Sequence, residues 1–222
     1  TLSRGGSTAR RFEVIVSPPD GQAEDAVFPA VLLALFCVLF VALGIAPSYR
    51  EDWLLENLLV FAALPALLWG HSRQRFSNAA YLALFVFFCL HELGAHYTYS
   101  LVPYREWIPA LAGSERNHYD RLVHFCYGLL VTPALFEVYA EYAPGRAAWR
   151  WLLPATSMFG QSVIYEGIEW AAALLFGGDL GVAYLGTQGD VWDAQKDMAL
   201  AALGSVTALT GIALRERLGR RP

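Results

Sequence analysis

Apolar and polar residues are segregated along this chain in long blocks, with no short alternating period. Val27 to Ala46 is uninterrupted and uncharged. At about 1.5 Å per residue such a helix covers about 30 Å, the hydrocarbon thickness of a bilayer, whereas a signal-peptide core runs to only about 7–15 residues. The same pattern predicts further spans over Trp53 to Gly70, Asn78 to Val102, Tyr119 to Tyr142, Ala147 to Phe176 and Asp190 to Leu214. Pro47, Pro103, the Pro144-Gly145 turn and a glycine-rich stretch at 177–189 punctuate them. The expected fold is all-α: six transmembrane helices within residues 27–214. A polar, flexible tail at 1–26 precedes them and a basic tail at 215–222 follows.

Composition agrees with this pattern. At 56% hydrophobic and 16% charged residues, the 222-residue chain is too apolar for a soluble domain, and a net charge of -4 offers no nucleic-acid surface. Sidedness of the basic residues says more. Arg4, Arg10, Arg11, Arg73, Arg75, Arg146, Arg150, Arg215, Arg217, Arg220 and Arg221 fall on one side, against Arg50, Arg105, Arg116 and Arg121 on the other. The positive-inside rule therefore places both termini in the cytoplasm. Trp53, Trp69, Trp107, Trp149, Trp151 and Trp192 lie at the proposed boundaries, where interfacial belts form. Cys37, Cys89 and Cys126 sit in apolar runs without CxxC spacing and read as small buried hydrophobes. No inverted repeat is visible.

Candidate chemistry enters with Phe88 to Ser100, where an apolar span carries His91, Glu92 and His96. An ionisable group at that depth costs about 3 kcal/mol even on mild scales, so partners are expected on neighbouring helices. Given the expected orientation, Glu92 and His96 fall in the outer half of the third span. Asp120 and His124 open the fourth, Glu166 and Glu169 come late in the fifth, and Asp193, Lys196 and Asp197 open the sixth. The spacings are i,i+4 or i,i+3, which puts each pair on one helical face. Carboxylate and imidazole groups gathered in a buried place suit Zn, Mn or Fe. Glu92, His96, Asp120, His124, Glu166 and Asp193 are the expected ligands of a divalent metal, with Lys196, Glu169 and Asp197 as catalytic groups. In Glu92/His96 and Asp120/His124 the acid and imidazole are four apart, unlike the E-x-x-H of ferritin-like di-iron bundles, so only the logic of paired ligands carries over. The zincin H-E-x-x-H is excluded as well, because His91 and His96 are about 140° apart around a helix.

Six carboxylates face only Lys196 and Arg121, an excess that calls either for metal ions or for protonated carboxyls, as in proton-coupled carriers. Lys196 is the only lysine in the chain. Simpler readings apply elsewhere. Asp190 is expected to cap the sixth helix, Asp52 and Glu56 to face water or a helix dipole, and Glu137 to be interfacial. Arg121 is expected to pair locally or snorkel, and His91 to pack or to ligate.

His91-Glu-Leu-Gly-Ala-His-Tyr-Thr-Tyr99, Glu115-Arg-Asn-His-Tyr-Asp-Arg-Leu-Val-His124, Tyr165-Glu-Gly-Ile-Glu-Trp170 and Tyr184 to Met198 resemble the YjdF family of bacterial inner-membrane proteins. The resemblance covers the third helix to the end. It implies a multi-spanning protein of the bacterial inner membrane and carries no particular activity.

Three function classes follow. The first is a metal-dependent membrane enzyme, a hydrolase or an oxidoreductase, acting on a lipid-like or small amphipathic substrate. The second is a metal-ion or proton carrier using the same carboxylates, and the third a structural or assembly protein. No nucleophile elbow, phosphate loop or nucleotide fingerprint occurs. Residues 177–189, with five glycines and several apolar residues, are expected to form a lid over the site.

Overall fold

The computed structural model describes residues 22–107, 116–143, 148–176 and 186–219. Six long helices and one short one form the described part. They are α1 (Gln22–Gly44), α2 (Arg50–Arg73), α3 (Asn78–His96), the single turn α4 (Tyr104–Trp107), α5 (Tyr119–Tyr142), α6 (Trp149–Phe176) and α7 (Asp193–Gly219). Among the described residues there is no strand. Five of the helices are long and apolar enough to cross a membrane; α6 has the length, with 28 residues, but carries Gln161, Glu166 and Glu169 within it.

Apolar side chains that would be inside a soluble protein are outside here. Val27, Val31, Leu35, Val38 and Val41 of α1 and Ile45 just after it are all exposed, as are Leu54, Leu58 and Phe61 of α2, which is the arrangement a lipid solvent favours. Cys37 shares this outer surface, so it is not the buried hydrophobe expected. Trp69 and Trp192 are exposed, whereas Trp53 is only 7% exposed and packs at a tilt against Phe40 instead of sitting in an interfacial belt.

Contacts fix the relative directions of the helices. Phe36 meets Phe88 and the Leu43 carbonyl meets His96, so α1 and α3 run parallel. Ser77 at the start of α3 bonds Glu137 near the end of α5, while Tyr119 at the start of α5 bonds the Leu90 carbonyl, so these two are antiparallel. Glu137 thus anchors the N-terminus of α3 through the Ser77 N–H and hydroxyl, a more specific task than the interfacial one expected. The Arg50 guanidinium closes the turn between α1 and α2 by donating to the carbonyl of Gly44, the last residue of α1, and to that of Ile45 just past it.

The tightest junction is a parallel seam between α5 and α7. Thr132 Oγ1 donates to Ser205 Oγ at 2.8 Å. One turn up, a Cβ on Gly128 would overlap the Ala201 carbonyl and stand 2.8 Å from the Ser205 nitrogen; a Cβ on Gly204 would overlap the Phe125 carbonyl. Small residues at four-residue spacing let two backbones approach, as in membrane helix dimers. Thr132/Ser205, Gly128/Ala201 and His124/Asp197 all share an offset of 73 positions. The seam that packs the helices therefore also sets His124 beside Asp197.

Boundaries differ from expectation where local chemistry intervenes. The third helix ends at His96, not Val102, because Thr98 and Tyr99 take left-handed conformations (φ 56° and 45°) and the Tyr99 ring folds back over Gly94. No β-carbon fits beneath that ring, since it would lie 2.7 Å from ring atoms. The last helix starts at Asp193 and continues to Gly219, into the expected basic tail, and α1 starts at Gln22, inside the expected N-terminal tail.

Candidate metal centre

At one end of the bundle the N-termini of α2, α5 and α7 meet the C-termini of α3 and α6. Here one ligand atom from each of Asp120, His124 and Asp197 lies within 4.8 Å of the other two. Asp120 Oδ1 and Glu166 Oε1 stand 3.4 and 3.5 Å from His124 Nε2. His124 and Asp197 are buried, and Asp197 Oδ1 has no hydrogen-bond partner. Glu169, also buried, lies within electrostatic reach of Glu166, Glu56 and Asp120.

The first turns of α2 contribute what the sequence reading missed. Asp52 and Glu56 do not face water: they are 0% and 3% exposed. Glu56 Oε2 accepts from the Tyr165 hydroxyl at 2.8 Å, and the Tyr165 ring meets the His124 ring at 5.9 Å, so Glu56 stands directly behind the cluster. A signal for this existed. Asp52, Trp53, Glu56, Asn57 and Val60 form one helical face, opposite the lipid-facing Leu54, Leu58 and Phe61.

Of the nine residues singled out by sequence, Asp120, His124, Glu166, Glu169 and Asp197 come together. The other four do not join them. Glu92 is fully buried against Trp53 and Asn57 of α2. His96 turns the other way and donates from Nδ1 to the Leu43 carbonyl at 2.7 Å. Asp193 accepts from Arg116 at 2.5 and 2.6 Å and from Arg121 at 3.0 Å. Lys196 is half exposed, its Nζ 2.5 Å from Asp190 Oδ2. Arg121 is within electrostatic reach of Asp197 but gives its hydrogen bonds to Asp190 and Asp193. At this end of the bundle Arg116, Arg121 and Lys196 thus gather at the rim with Asp190 and Asp193, while Asp120, Glu166, Glu169 and Asp197 lie inside.

His91 is buried and accepts or donates at Nδ1 with the Tyr99 hydroxyl, 2.6 Å away. Both line a cavity of about 160 Å³ that lies between α2, α3, α5 and α6 and reaches His124 and Tyr165.

The rim is a latch. Arg116 Nη1 donates to the Thr187 carbonyl, and Asn117 and Gln188 exchange two hydrogen bonds of 2.8 and 2.9 Å. Gly186 and Gly189 supply left-handed turns (φ 59° and 83°) on either side of that contact. Residues 177–185 of the expected lid lie outside the described residues. Asp190 does not cap the last helix by itself. It accepts from the Trp192 N–H just before the helix and pairs with Lys196 and Arg121. The Lys196 hydrogen bond, then those of Trp192 and Arg121, hold its carboxyl well below the ordinary value of 3.8. A depressed carboxylate stabilises the fold above its unfolded value and loses that contribution as pH falls through the folded one. Limited proteolysis at 186–192 is therefore expected to be constant between about pH 5 and 8 and to accelerate only below about pH 4. Arg116→Met is expected to accelerate it at every pH in that range.

The sequence model of a family described as "Predicted membrane protein (DUF2238)" matches residues 28–217. "Inner membrane protein YjdF" of Escherichia coli (strain K12) is 33% identical over 178 residues, which is 79% of this chain and 84% of the relative. No solved structure matches. The family match runs through every long helix and every residue of the cluster, and the chain therefore belongs to the predicted membrane protein family DUF2238.

Proposed function

We propose that this protein is a metal-dependent enzyme of the bacterial inner membrane that acts on a lipid-like or small amphipathic substrate. Asp120, His124 and Asp197 hold a divalent Zn, Mn or Fe, with Glu166 as an adjacent fourth donor. The observation that carries the reading is their convergence within 4.8 Å in a buried place where Asp197 Oδ1 has no protein partner. A buried carboxylate without a cation is costly, and a metal supplies the missing charge. When bound, such a metal polarises a substrate carbonyl or phosphoryl group, or activates an oxygen nucleophile. Glu169 and the Tyr165-held Glu56 stand where protons can be taken up, whereas Lys196 belongs to the rim.

Topology is part of the proposal. With six crossings and both termini cytoplasmic, the metal centre lies toward the extracytoplasmic face. An impermeant thiol reagent applied from that face, to protein lacking its native cysteines, is expected to label Gly186→Cys and spare Arg217→Cys. The reverse pattern would put the site in the cytoplasmic half.

A carrier needs polar groups on both sides of its site. Below the cluster the seam continues as Gly128, Ala201, Thr132 and Ser205, and the two hydroxyls bond each other, which favours chemistry over transport. Reconstituted vesicles are expected to show no protein-dependent flux of Zn, Mn or protons. Flux lost in Asp197→Asn would replace the enzyme reading with the carrier one.

A further inference from the structure

We propose that the cavity between α2, α3, α5 and α6 is a chamber for a single acyl chain. The chain enters sideways from the bilayer, sets its linkage carbonyl at Ser162 and points its head toward His124. Leu59, Phe87 and Val123 give the cavity, of about 160 Å³, aliphatic and aromatic walls. Ile164 and Ile168 also line it while being 63% and 51% exposed, so the chamber opens on the lipid-facing surface. At this size it accommodates part of one chain; sites for drug-sized ligands are about 300–1,000 Å³.

The second observation is Ser162. Exposed threonines on helices of this protein bond the carbonyl one turn back, as Thr156 does to Leu152, Thr207 to Leu203 and Thr210 to Val206, and the buried hydroxyls of Thr132 and Ser205 bond each other. Ser162 does neither. It is 1% exposed, lines the cavity and leaves Oγ without a partner. A buried donor with no acceptor is a cost that a ligand oxygen would remove. Ser162 lies just over one turn, about 6 Å along the axis, before Glu166 on α6. A carbonyl bonded there places the head of an acyl ester within reach of His124 and Glu166, while the chain leaves sideways past Leu59 and Ile164 toward the bilayer. Monoacylglycerols and lysophospholipids share this chemistry. What happens to the bound ester rests on the proposed metal chemistry; its binding does not.

The test uses full-length protein in nanodiscs with monopalmitoylglycerol carrying a diazirine at the chain end, and maps adducts by mass spectrometry. Adducts are expected at Leu59, Ile164 and Ile168 in excess of those at the lipid-facing Leu174 and Leu175. Val123→Trp and, independently, Ile168→Trp should reduce chamber adducts about tenfold by filling the space, and Ser162→Ala should reduce them about threefold. Unlabelled monopalmitoylglycerol or lysophosphatidylethanolamine should compete, and the stronger competitor identifies the head. Chamber labelling no higher than at Leu174, labelling unchanged by both filling variants, or competition by neither lipid would overturn the proposal. Metal content is measured on the same samples. Chamber adducts in metal-free Asp197→Asn protein sustain the chamber even if the metal reading fails, and bound metal without chamber adducts overturns the chamber alone.

Discussion

Gly204→Val is expected to cost about 3 kcal/mol and to leave little folded protein, because its β-carbon would overlap the Phe125 carbonyl and stand 2.7 Å from the Leu129 nitrogen. Both obstacles are helix backbone, so no rotamer change relieves them. Gly128→Val meets the mirror-image obstacle at Ala201. Gly211→Val, on the same helix with open space around its position, is expected to change stability by less than about 1 kcal/mol. Thermal unfolding in detergent decides this. Equal midpoints for Gly204→Val and Gly211→Val would mean that the seam is not what holds α5 against α7. The seam also sets His124 beside Asp197, so a Gly204 variant that still folds should bind metal more weakly.

Asp197→Asn is expected to have two effects of opposite sign. Removing a ligand should weaken metal binding by about a hundredfold or more. Neutralising a buried carboxylate whose Oδ1 has no hydrogen-bond partner and which faces Asp120 should raise the thermal stability of the metal-free protein. Glu166→Gln should weaken binding less, by about tenfold. His96→Ala should leave metal affinity unchanged, because its ring faces the Leu43 carbonyl and not the cluster. A structural ion-pair network would behave differently, since Asp197→Asn would then destabilise the protein whether or not metal were present.

Much of this was legible in the sequence because membrane helices must hide polar groups from lipid. Block hydrophobicity marks the long helices, and α5 matches its expected bounds of Tyr119 and Tyr142. The i,i+4 pairing of Asp120 with His124, continued downward by Gly128 and Thr132, is a single face, and Asp197, Ala201 and Ser205 repeat it on α7. What the spacing could not reveal is which polar residues satisfy one another across loops. Asp193 shares the face of Asp197 yet is taken by Arg116 and Arg121, which arrive from a segment more than 70 positions away. Lys196, one position before Asp197, points to the rim and Asp190. Glu56 was misread because it lies near a helix start, where acids usually meet water; the lipid-facing leucines beside it turn it inward.

A metal ion held by Asp120, His124 and Asp197 would show in the composition of the purified protein. Full-length protein purified without chelator and without added metal is to be analysed by inductively coupled plasma mass spectrometry beside Asp197→Asn and His96→Ala. Near-stoichiometric Zn, Mn or Fe in the wild type and in His96→Ala, lost in Asp197→Asn, is the predicted result. Only trace metal in a wild-type protein that remains folded, or metal retained by Asp197→Asn, would contradict it.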